Sequence, residues 1–264
     1  MLESISIEDI QKVTMSAAES VIDLHGSMDK NAIDGAAVNA MRKALNNITM
    51  VGTVIIGEGQ KDNAPMLKSG EKVGNGSGFE VDIAVDPIDG TSLVAKGKDG
   101  AVSLIAFSPS NTMFNPEDNF YMYKLVTGHE AASRISLSKP LVENLHIIAD
   151  AKSKKIHELV VNVLRRPRHE KLALELQALG IKVRFFDDGD VTAALATCLP
   201  HTEVDAYGAV TATNPDNDTQ SRQWFAAMLR YLFDQIPIRA TTPATPSALI
   251  TKTLGAVTPF TLAA

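Results

Sequence analysis

Two strand-like segments of this chain end directly in acidic residues, and this repetition limits the possible folds more than any other feature. Residues 50–56 are rich in Val, Ile and Thr and run into Gly57-Glu58-Gly59. Residues 79–85 have the same character and run into Asp-Pro-Ile-Asp-Gly-Thr-Ser at 86–92. β-branched residues favour strands, while glycine and proline mark strand ends. The pattern predicts strands that deliver carboxylates to element boundaries, where side chains from separate elements can converge.

Helical and strand-like segments are mixed along the whole chain. The spacing of apolar residues predicts helices from Ile10 to Leu24, with Ser6 as N-cap, and from Ala37 to Ile48. Further helices are predicted over 153–164 and 170–179, and further strands over 101–108, 120–126, 181–186 and 204–210. Such mixing indicates an α/β or layered α+β fold. The length of 264 residues allows one large unit or two lobes.

Composition excludes several classes of function. Lys+Arg 25 against Asp+Glu 31 gives a net charge of −6, and an acidic surface repels a polyphosphate backbone, so we expect no nucleic-acid partner. Cys198 is the single cysteine, which predicts a reducing cytoplasm. The longest apolar runs, such as 102–107, are far shorter than the ~20 residues that cross a bilayer. Glu3, Glu8 and Asp9 occupy the place of a signal peptide, so neither export nor membrane insertion is expected.

Four acids at element boundaries form a candidate metal site: Asp34, Glu58, Asp86 and Asp89. Clustered carboxylates repel one another unless cations neutralise them, and Mg²⁺ and Mn²⁺ prefer hard oxygen ligands. Two such ions can activate a water and stabilise the leaving oxygen of a phosphate ester. The Thr91 hydroxyl is placed to orient a water. For any one of these acids alone, a helix cap or a solvated turn residue is the simpler interpretation.

The hexapeptide at 86–91 with its upstream Glu58 resembles the hallmark of the lithium-sensitive, metal-dependent sugar and inositol phosphatase superfamily. Other segments narrow the resemblance to the bacterial class II fructose-1,6-bisphosphatases of the GlpX type. These segments are 29–31, 34–42, 56–59, 64–67, 81–87, 166–169 and 188–191. The resemblance is close from about Ile10 to Tyr207. It implies an α/β fold of the layered α-β-α-β-α sugar phosphatase architecture.

The resemblance also implies a role for each matching residue. The metal ligands would be Asp34, Glu58, Asp86 and Asp89, with Mg²⁺ or Mn²⁺ as cofactor, and Lys30 and Thr91 would serve the catalytic step. The substrate would be bound by Gly90, Thr91, Ser92, Tyr121, Arg166, Arg168, Asp188 and Asp190. Guanidinium groups suit a sugar phosphate, and carboxylates accept hydrogen bonds from sugar hydroxyls. The alternatives are a solvated helix end for the two arginines, a half-buried strand residue for Tyr121 and an exposed turn lysine for Lys30.

Two departures from the family pattern concern metal ligands. The family usually has glutamate where this chain has Asp89, a shorter side chain of the same charge. The family also carries a further metal-binding glutamate after its Tyr-Gly, and by direct count Asn214 takes that place here. An amide is a neutral ligand and holds a divalent ion more weakly than a carboxylate does. The alternative is that Asp216 or Asp218 takes the place of the glutamate by a shift of the loop.

These observations predict a single phosphatase unit of two lobes. Residues 1–140 would form the metal-binding lobe, 141–239 the substrate lobe and 240–264 a Thr/Ala/Pro-rich tail. We expect a cytoplasmic homo-oligomer, a dimer or tetramer, that removes the 1-phosphate of fructose 1,6-bisphosphate. Sedoheptulose 1,7-bisphosphate, an inositol phosphate or a nucleotide phosphate are alternative substrates. The alternative of another class is a catalytically weak or inactive paralogue that binds a sugar phosphate or a family partner.

Overall fold

The computed structural model describes residues 5–57, 67–113, 115, 124–199 and 202–209. Within these residues the chain divides into two compact units between Asn115 and Lys124. Glu58, Tyr121, Asn214 and the tail 240–264 lie outside the described residues, so what the sequence predicts for them stays a prediction, as do the limits of the two lobes. In the described part of the chain, no helix is both long and apolar enough to cross a membrane.

The first unit begins with two capped helices, α1 (Ile7–Glu19) and α2 (Lys30–Leu45). The Ser6 hydroxyl accepts the Asp9 N–H at 3.1 Å, which confirms the predicted N-cap. The Asp29 carboxylate accepts the Ala32 N–H at 3.0 Å and starts α2. Helix α2 buries a stripe of apolar residues at helical spacing, namely Ile33, Ala37, Val38, Met41 and Leu45. Packing of this stripe fixes the rotation of the helix, and it leaves Asp34 half-buried beside the core.

A four-stranded sheet supports these helices in the order β2-β1-β3-β4. Its strands are β1 (Met50–Ile56), β2 (Lys72–Val73), β3 (Phe79–Asp89) and β4 (Val102–Pro109), and a short helix α3 (Thr91–Ala95) follows β3. Strands β1 and β3 are parallel, so their carboxyl ends lie at the same edge of the sheet. Alternate residues of β3, including Val81, Ile83 and Val85, are buried in the core of this unit.

Strand β3 continues beyond the predicted end at Val85. Asp86 pairs with Leu104 and Asp89 pairs with Val102 across the antiparallel ladder. Three steps along β3 therefore match two steps along β4, which defines a β-bulge at Pro87 and Ile88. A proline has no N–H for the ladder, and within a central strand it is found at bulges. The proline that predicted a strand end instead lies inside an irregular strand.

The second unit contains helices α4 (His129–Ala132), α5 (Leu141–Ala151), α6 (Glu170–Ala178) and α7 (Asp190–Leu195). Its strands are β5 (Lys124–Thr127), β6 (Val160–Leu164), β7 (Lys182–Phe186) and β8 (Ala206–Ala209), in the order β5-β8-β6-β7. Strand β6 is parallel to β7 and β8, and β5 runs antiparallel to β8. Helices and mixed sheets in both units confirm the α/β class.

The helix predicted over 153–164 is wrong. Helix α5 ends at Ala151, Ser153 has a positive φ of 54°, and residues 160–164 form strand β6. The last four residues of β6 are all buried, including the polar Asn162, so this short and mainly apolar run lacks the alternation that marks a half-buried strand. A short apolar run of this kind does not distinguish a strand from a buried helix by its periodicity.

A buried aspartate joins three strands of the second sheet. Both carboxylate oxygens of Asp205 accept from the Lys154 ammonium, at 2.7 and 2.8 Å, and one also accepts the Val160 N–H at 2.9 Å. The Asp205 carbonyl accepts the Thr127 hydroxyl at 2.8 Å. Lys152 lies 3.8 Å from the same carboxylate. The network connects the end of β5, the start of β6 and the start of β8.

Two glycines of the first unit are expected to respond to alanine in opposite directions. A Cβ on Gly57 would overlap the backbone carbonyl of Leu67, whereas a Cβ on Gly35 within α2 would meet nothing within 4 Å. Gly57→Ala should therefore destabilise the protein by roughly 1–3 kcal/mol through overpacking. Gly35→Ala should stabilise it by about 0.5–1 kcal/mol because alanine favours a helix interior. Urea unfolding of both variants tests this pair, and equal shifts of the two midpoints would contradict it.

Candidate functional site

A hydrogen bond joins two of the predicted functional residues across 57 positions of sequence. The Thr91 hydroxyl lies 2.7 Å from Asp34 Oδ1 and 3.1 Å from the Ile88 carbonyl. A hydroxyl has one proton to donate. Of the two acceptors, the Asp34 carboxylate is both closer and stronger than the Ile88 carbonyl, because it carries a charge. Thr91 therefore donates to Asp34. This bond connects the second turn of α2 to the first residue of α3.

The β-bulge places Asp86 and Asp89 on one face of the sheet. Residues directly opposite each other in an antiparallel ladder share a face, and the partners of these acids, Leu104 and Val102, are two residues apart on β4. Without the extra residue, acids three apart would point to opposite faces. Both acids are half-buried. The register thus directs the two carboxylates of the motif to the same side of the sheet.

A third acid on that face of β3 has a structural role. Asp82 is 3% exposed, and its Oδ2 accepts the backbone N–H groups of Thr112 and Met113, both at 3.0 Å. These bonds fix the turn that follows β4. In the sequence Asp82 is one more carboxylate near the motif, and its role in this turn is seen only from these long-range contacts.

Backbone hydrogen bonds hold the start of α2 against α3. The Gly26 N–H donates to the Val94 carbonyl at 2.8 Å, and the Met28 N–H donates to the Ala95 carbonyl at 2.9 Å. Lys30 is the first residue of α2 and is exposed. It precedes Asp34 by four residues, so the two side chains lie on the same face of the helix. The two bonds therefore fix the segment that carries Lys30 relative to Thr91.

The described acids suit a hard divalent ion in chemistry, but they do not complete a site. Asp34, Asp86 and Asp89 offer carboxylate oxygens, the ligand type that Mg²⁺ and Mn²⁺ prefer. Among the described residues, no three Asp, Glu, His or Cys side chains form a group able to hold a metal ion. The fourth predicted ligand, Glu58, follows Gly57 and lies outside that part of the chain.

The substrate residues predicted in the second unit lie at the carboxyl edge of its parallel strands. Arg166 follows β6; its Nη1 donates to the Arg165 and Asp187 carbonyls at 2.9 and 2.8 Å, and its Nη2 lies 3.6 Å from Asp188 Oδ1. Arg168 is exposed one turn further along. Asp190 begins α7 and binds Lys124, a residue that the sequence did not single out. Arg166 and Asp188 are thus brought together, and Asp190 gains a partner from β5.

A buried histidine shapes the turn that carries the two arginines. His169 is 1% exposed, and its Nδ1 lies 2.7 Å from the Leu164 carbonyl at the end of β6. A carbonyl only accepts hydrogen bonds, so Nδ1 carries the proton. The bond closes the turn from β6 through the 3₁₀ helix Pro167–His169, which carries Arg168 and follows Arg166.

A cavity of about 530 Å³ opens beside this turn. Its wall includes Phe185 and Leu174, and the Arg165 guanidinium stacks 4.6 Å above the Phe185 ring centroid. Arg166 is the predicted substrate residue that lines it, whereas Asp188 and Asp190 do not. The cavity therefore does not coincide with the predicted substrate residues as a set.

Most of the chain matches a known protein family. The sequence model described as bacterial fructose-1,6-bisphosphatase, glpX-encoded, matches residues 4–214 of this chain. The chain belongs to this family. The fructose-1,6-bisphosphatase 1 class 2 of Escherichia coli (strain K12) is 46% identical over 209 residues, which are 79% of this chain and 62% of that protein. The class 2 fructose-1,6-bisphosphatases of Escherichia coli O6:H1 and Shigella flexneri match with the same values.

This member of the glpX-encoded family spans 62% of the length of the curated relatives that it matches. The family match includes the hexapeptide at 86–91 and both arginines, and it ends at Asn214. The resemblance inferred from motifs is therefore confirmed over residues 4–214.

The single cysteine of this family member is expected to be unreactive in the folded state. Burial raises the pKa of Cys198 from 9.0 to about 11. At pH 8 the thiolate fraction should be ~100-fold lower in the folded protein than after unfolding, and the thiolate is the nucleophile. Iodoacetamide labelling followed by mass spectrometry should modify Cys198 slowly in buffer and rapidly in urea. Rapid labelling of the folded protein would contradict this prediction.

The raised pKa of Cys198 also affects the pH dependence of stability. The contribution of the thiol to stability is present below pH 9 and is lost as the pH rises towards 11.

Proposed function

We propose that this chain is a metal-dependent phosphomonoesterase that removes the 1-phosphate of fructose 1,6-bisphosphate. The hydrogen bond of 2.7 Å between Thr91 and Asp34 carries this proposal, because it joins a catalytic and a metal-binding candidate from distant segments of the family match. The 46% identity to class 2 fructose-1,6-bisphosphatases supports it. The alternative of an inactive paralogue, which rested on Asn214 and on the divergent C-terminal region, is not favoured by this similarity.

The proposed metal ligands are Asp34, Glu58, Asp86 and Asp89, and the ion is Mg²⁺ or Mn²⁺. A divalent ion held by these carboxylates would supply a water of lowered pKa and would neutralise charge on the phosphate oxygens. The shared face of Asp86 and Asp89 and their half-burial support this assignment. Carboxylates held by the register of a central strand need little reordering when they bind a cation.

The chain's own residues orient the reacting groups. Thr91 donates its proton to Asp34, so its oxygen lone pairs remain available to accept a hydrogen bond from a water. Lys30 provides a cation on the same face of α2 as Asp34, and a lysine at the positive end of a helix is locally unfavourable. We propose that Lys30 binds a phosphate oxygen, which offsets this cost. The backbone N–H groups of Gly90, Thr91 and Ser92 would bind the same phosphate.

We assign further substrate-binding roles to residues of the second unit. Arg166 and Arg168 suit a phosphate group, and Asp188 and Asp190 accept hydrogen bonds from sugar hydroxyls. The contacts of Arg166 with the Asp187 carbonyl and Asp188 support a pre-organised guanidinium. Tyr121 completes the proposed set. We further propose a cytoplasmic homo-oligomer, a dimer or tetramer, with sedoheptulose 1,7-bisphosphate as a second substrate.

A substrate panel at fixed Mn²⁺ tests the proposed function. We expect phosphate release from fructose 1,6-bisphosphate with kcat of roughly 1–10³ s⁻¹, the range of ordinary enzymes. Full turnover in excess chelator would contradict the metal dependence. Preference for an inositol monophosphate over every sugar bisphosphate would contradict the substrate. Tight binding in calorimetry without turnover in any divalent metal would instead support the inactive paralogue.

A further inference from the structure

The strand order of the second sheet marks a place where ligands commonly bind. The chain passes from β6 to β7 on one side and then returns to β8 on the other side of β6. In open α/β sheets, ligands bind outside the carboxyl ends of the strands where the direction of the connections reverses. Here that point lies between β6 and β8. Lys124 stands at this edge, because it begins β5 and pairs with Ala209 at the end of β8.

Three acids follow β7 within four residues, and each has its own cation. Arg165 Nε lies 3.4 Å from Asp187 Oδ1, Arg166 Nη2 lies 3.6 Å from Asp188 Oδ1, and Lys124 Nζ lies 2.5 Å from Asp190 Oδ2. Without these cations the neighbouring carboxylates would repel one another. The three pairs therefore set the direction in which each carboxylate points.

Lys124 is the most buried of the three cations. Its side chain is 18% exposed, against 62% for Arg165 and 35% for Arg166. A partly buried ion pair is screened less by water and salt than an exposed pair. The Lys124 ammonium contacts Oδ2 of the Asp190 carboxylate, and Oδ1 lies on the other side of the carboxylate carbon.

We propose that Lys124 is a positioning residue for substrate binding, which acts by holding Asp190. This proposal rests on the proposed function, because it takes Asp190 to accept a hydrogen bond from a sugar hydroxyl. Lys124 fixes Oδ2 and so presents Oδ1 to the sugar. Its role concerns affinity for the sugar and not the chemistry at the phosphate.

The first test is the kinetics of Lys124→Met with fructose 1,6-bisphosphate. KM should rise roughly 10- to 100-fold, the range expected for losing a hydrogen bond to a charged group. The kcat should change less than about threefold, because the interaction is made equally in the ground and transition states. Lys124→Arg keeps the charge and should retain most of the affinity. Lys139→Met is the matched control: Lys139 forms an exposed 2.9 Å ion pair with Glu143 in the same unit, and its loss should leave KM unchanged.

The second test is a double-mutant cycle with Asp190→Asn. If Lys124 acts through Asp190, the double variant should have the same KM as Asp190→Asn alone. The double variant leaves no unpaired charge, so it remains measurable even where Lys124→Met is unstable. Independent, multiplying effects on KM would overturn the proposal, as would a wild-type KM for Lys124→Met.

A wild-type protein that neither hydrolyses nor binds fructose 1,6-bisphosphate would contradict the proposed function and, with it, this role. Normal wild-type turnover with unaffected Lys124 variants would contradict the role of Lys124 alone.

Discussion

Asp86→Asn is expected to lower phosphate release by roughly 10³-fold or more. The substitution keeps the shape of the side chain and removes its charge, and a bound metal ion contributes several kcal/mol of transition-state stabilisation. The pairing of Asp86 with Leu104 should be preserved, because it involves only backbone atoms. The measurement is the kcat of the purified variant at saturating Mn²⁺.

Calorimetry with Mn²⁺ alone separates metal binding from turnover in this variant. Asp86→Asn should weaken Mn²⁺ binding, since ligand charge tunes the affinity for hard divalent ions. Asp99→Asn is the control, because Asp99 is an exposed acid of the same unit that has no proposed role. Wild-type kcat in Asp86→Asn would show that this acid is not a metal ligand.

Asp205→Ala is expected to have the largest effect on stability. The substitution leaves Lys154 and Lys152 without the buried carboxylate, and it removes the acceptor of the Val160 N–H. Removing one partner of a buried pair typically costs ~3–5 kcal/mol. The midpoint of urea unfolding, followed by circular dichroism, measures the loss.

A surface pair provides the matched control for Asp205. Glu143 and Lys139 lie 2.9 Å apart with side chains 52% and 37% exposed, and such pairs contribute at most about 1 kcal/mol. Glu143→Ala should therefore shift the urea midpoint far less than Asp205→Ala. Equal shifts for the two variants would mean that the Asp205 network does not join the strands energetically.

The sequence predicts a candidate site, and it does so from local patterns. The acids at 34, 86 and 89 were singled out because the sequence predicts element boundaries there, and the last two belong to a distinctive hexapeptide. In the structure Asp34 lies in the second turn of α2 and Asp86 lies inside β3. Helix α6 and strand β7 were found because periodicity and glycine stops are local. The bond between Thr91 and Asp34 agrees with their assignment to one site, although periodicity gave no sign of the bond itself.

Long-range pairing explains what the sequence did not reveal. Lys124 is an ordinary lysine at the start of a short strand, and its partner Asp190 lies 66 residues away. Asp205 and Lys154 are separated by 51 residues and no motif joins them. Strand β6 was mistaken for a helix because burial removed the alternation that identifies a strand. In each case the missing information was which segments become neighbours in space.

Two quantities determine where the carboxylates of Asp86 and Asp89 lie. The backbone ladder with β4 fixes the Cα positions of the two residues, whereas the length of each side chain determines how far its carboxylate extends from the sheet. Position 89 is the last residue of the strand, so its side chain can change length without disturbing the register that holds position 86. A change between aspartate and glutamate at position 89 would thus alter the reach of one carboxylate of the pair and leave the other in place.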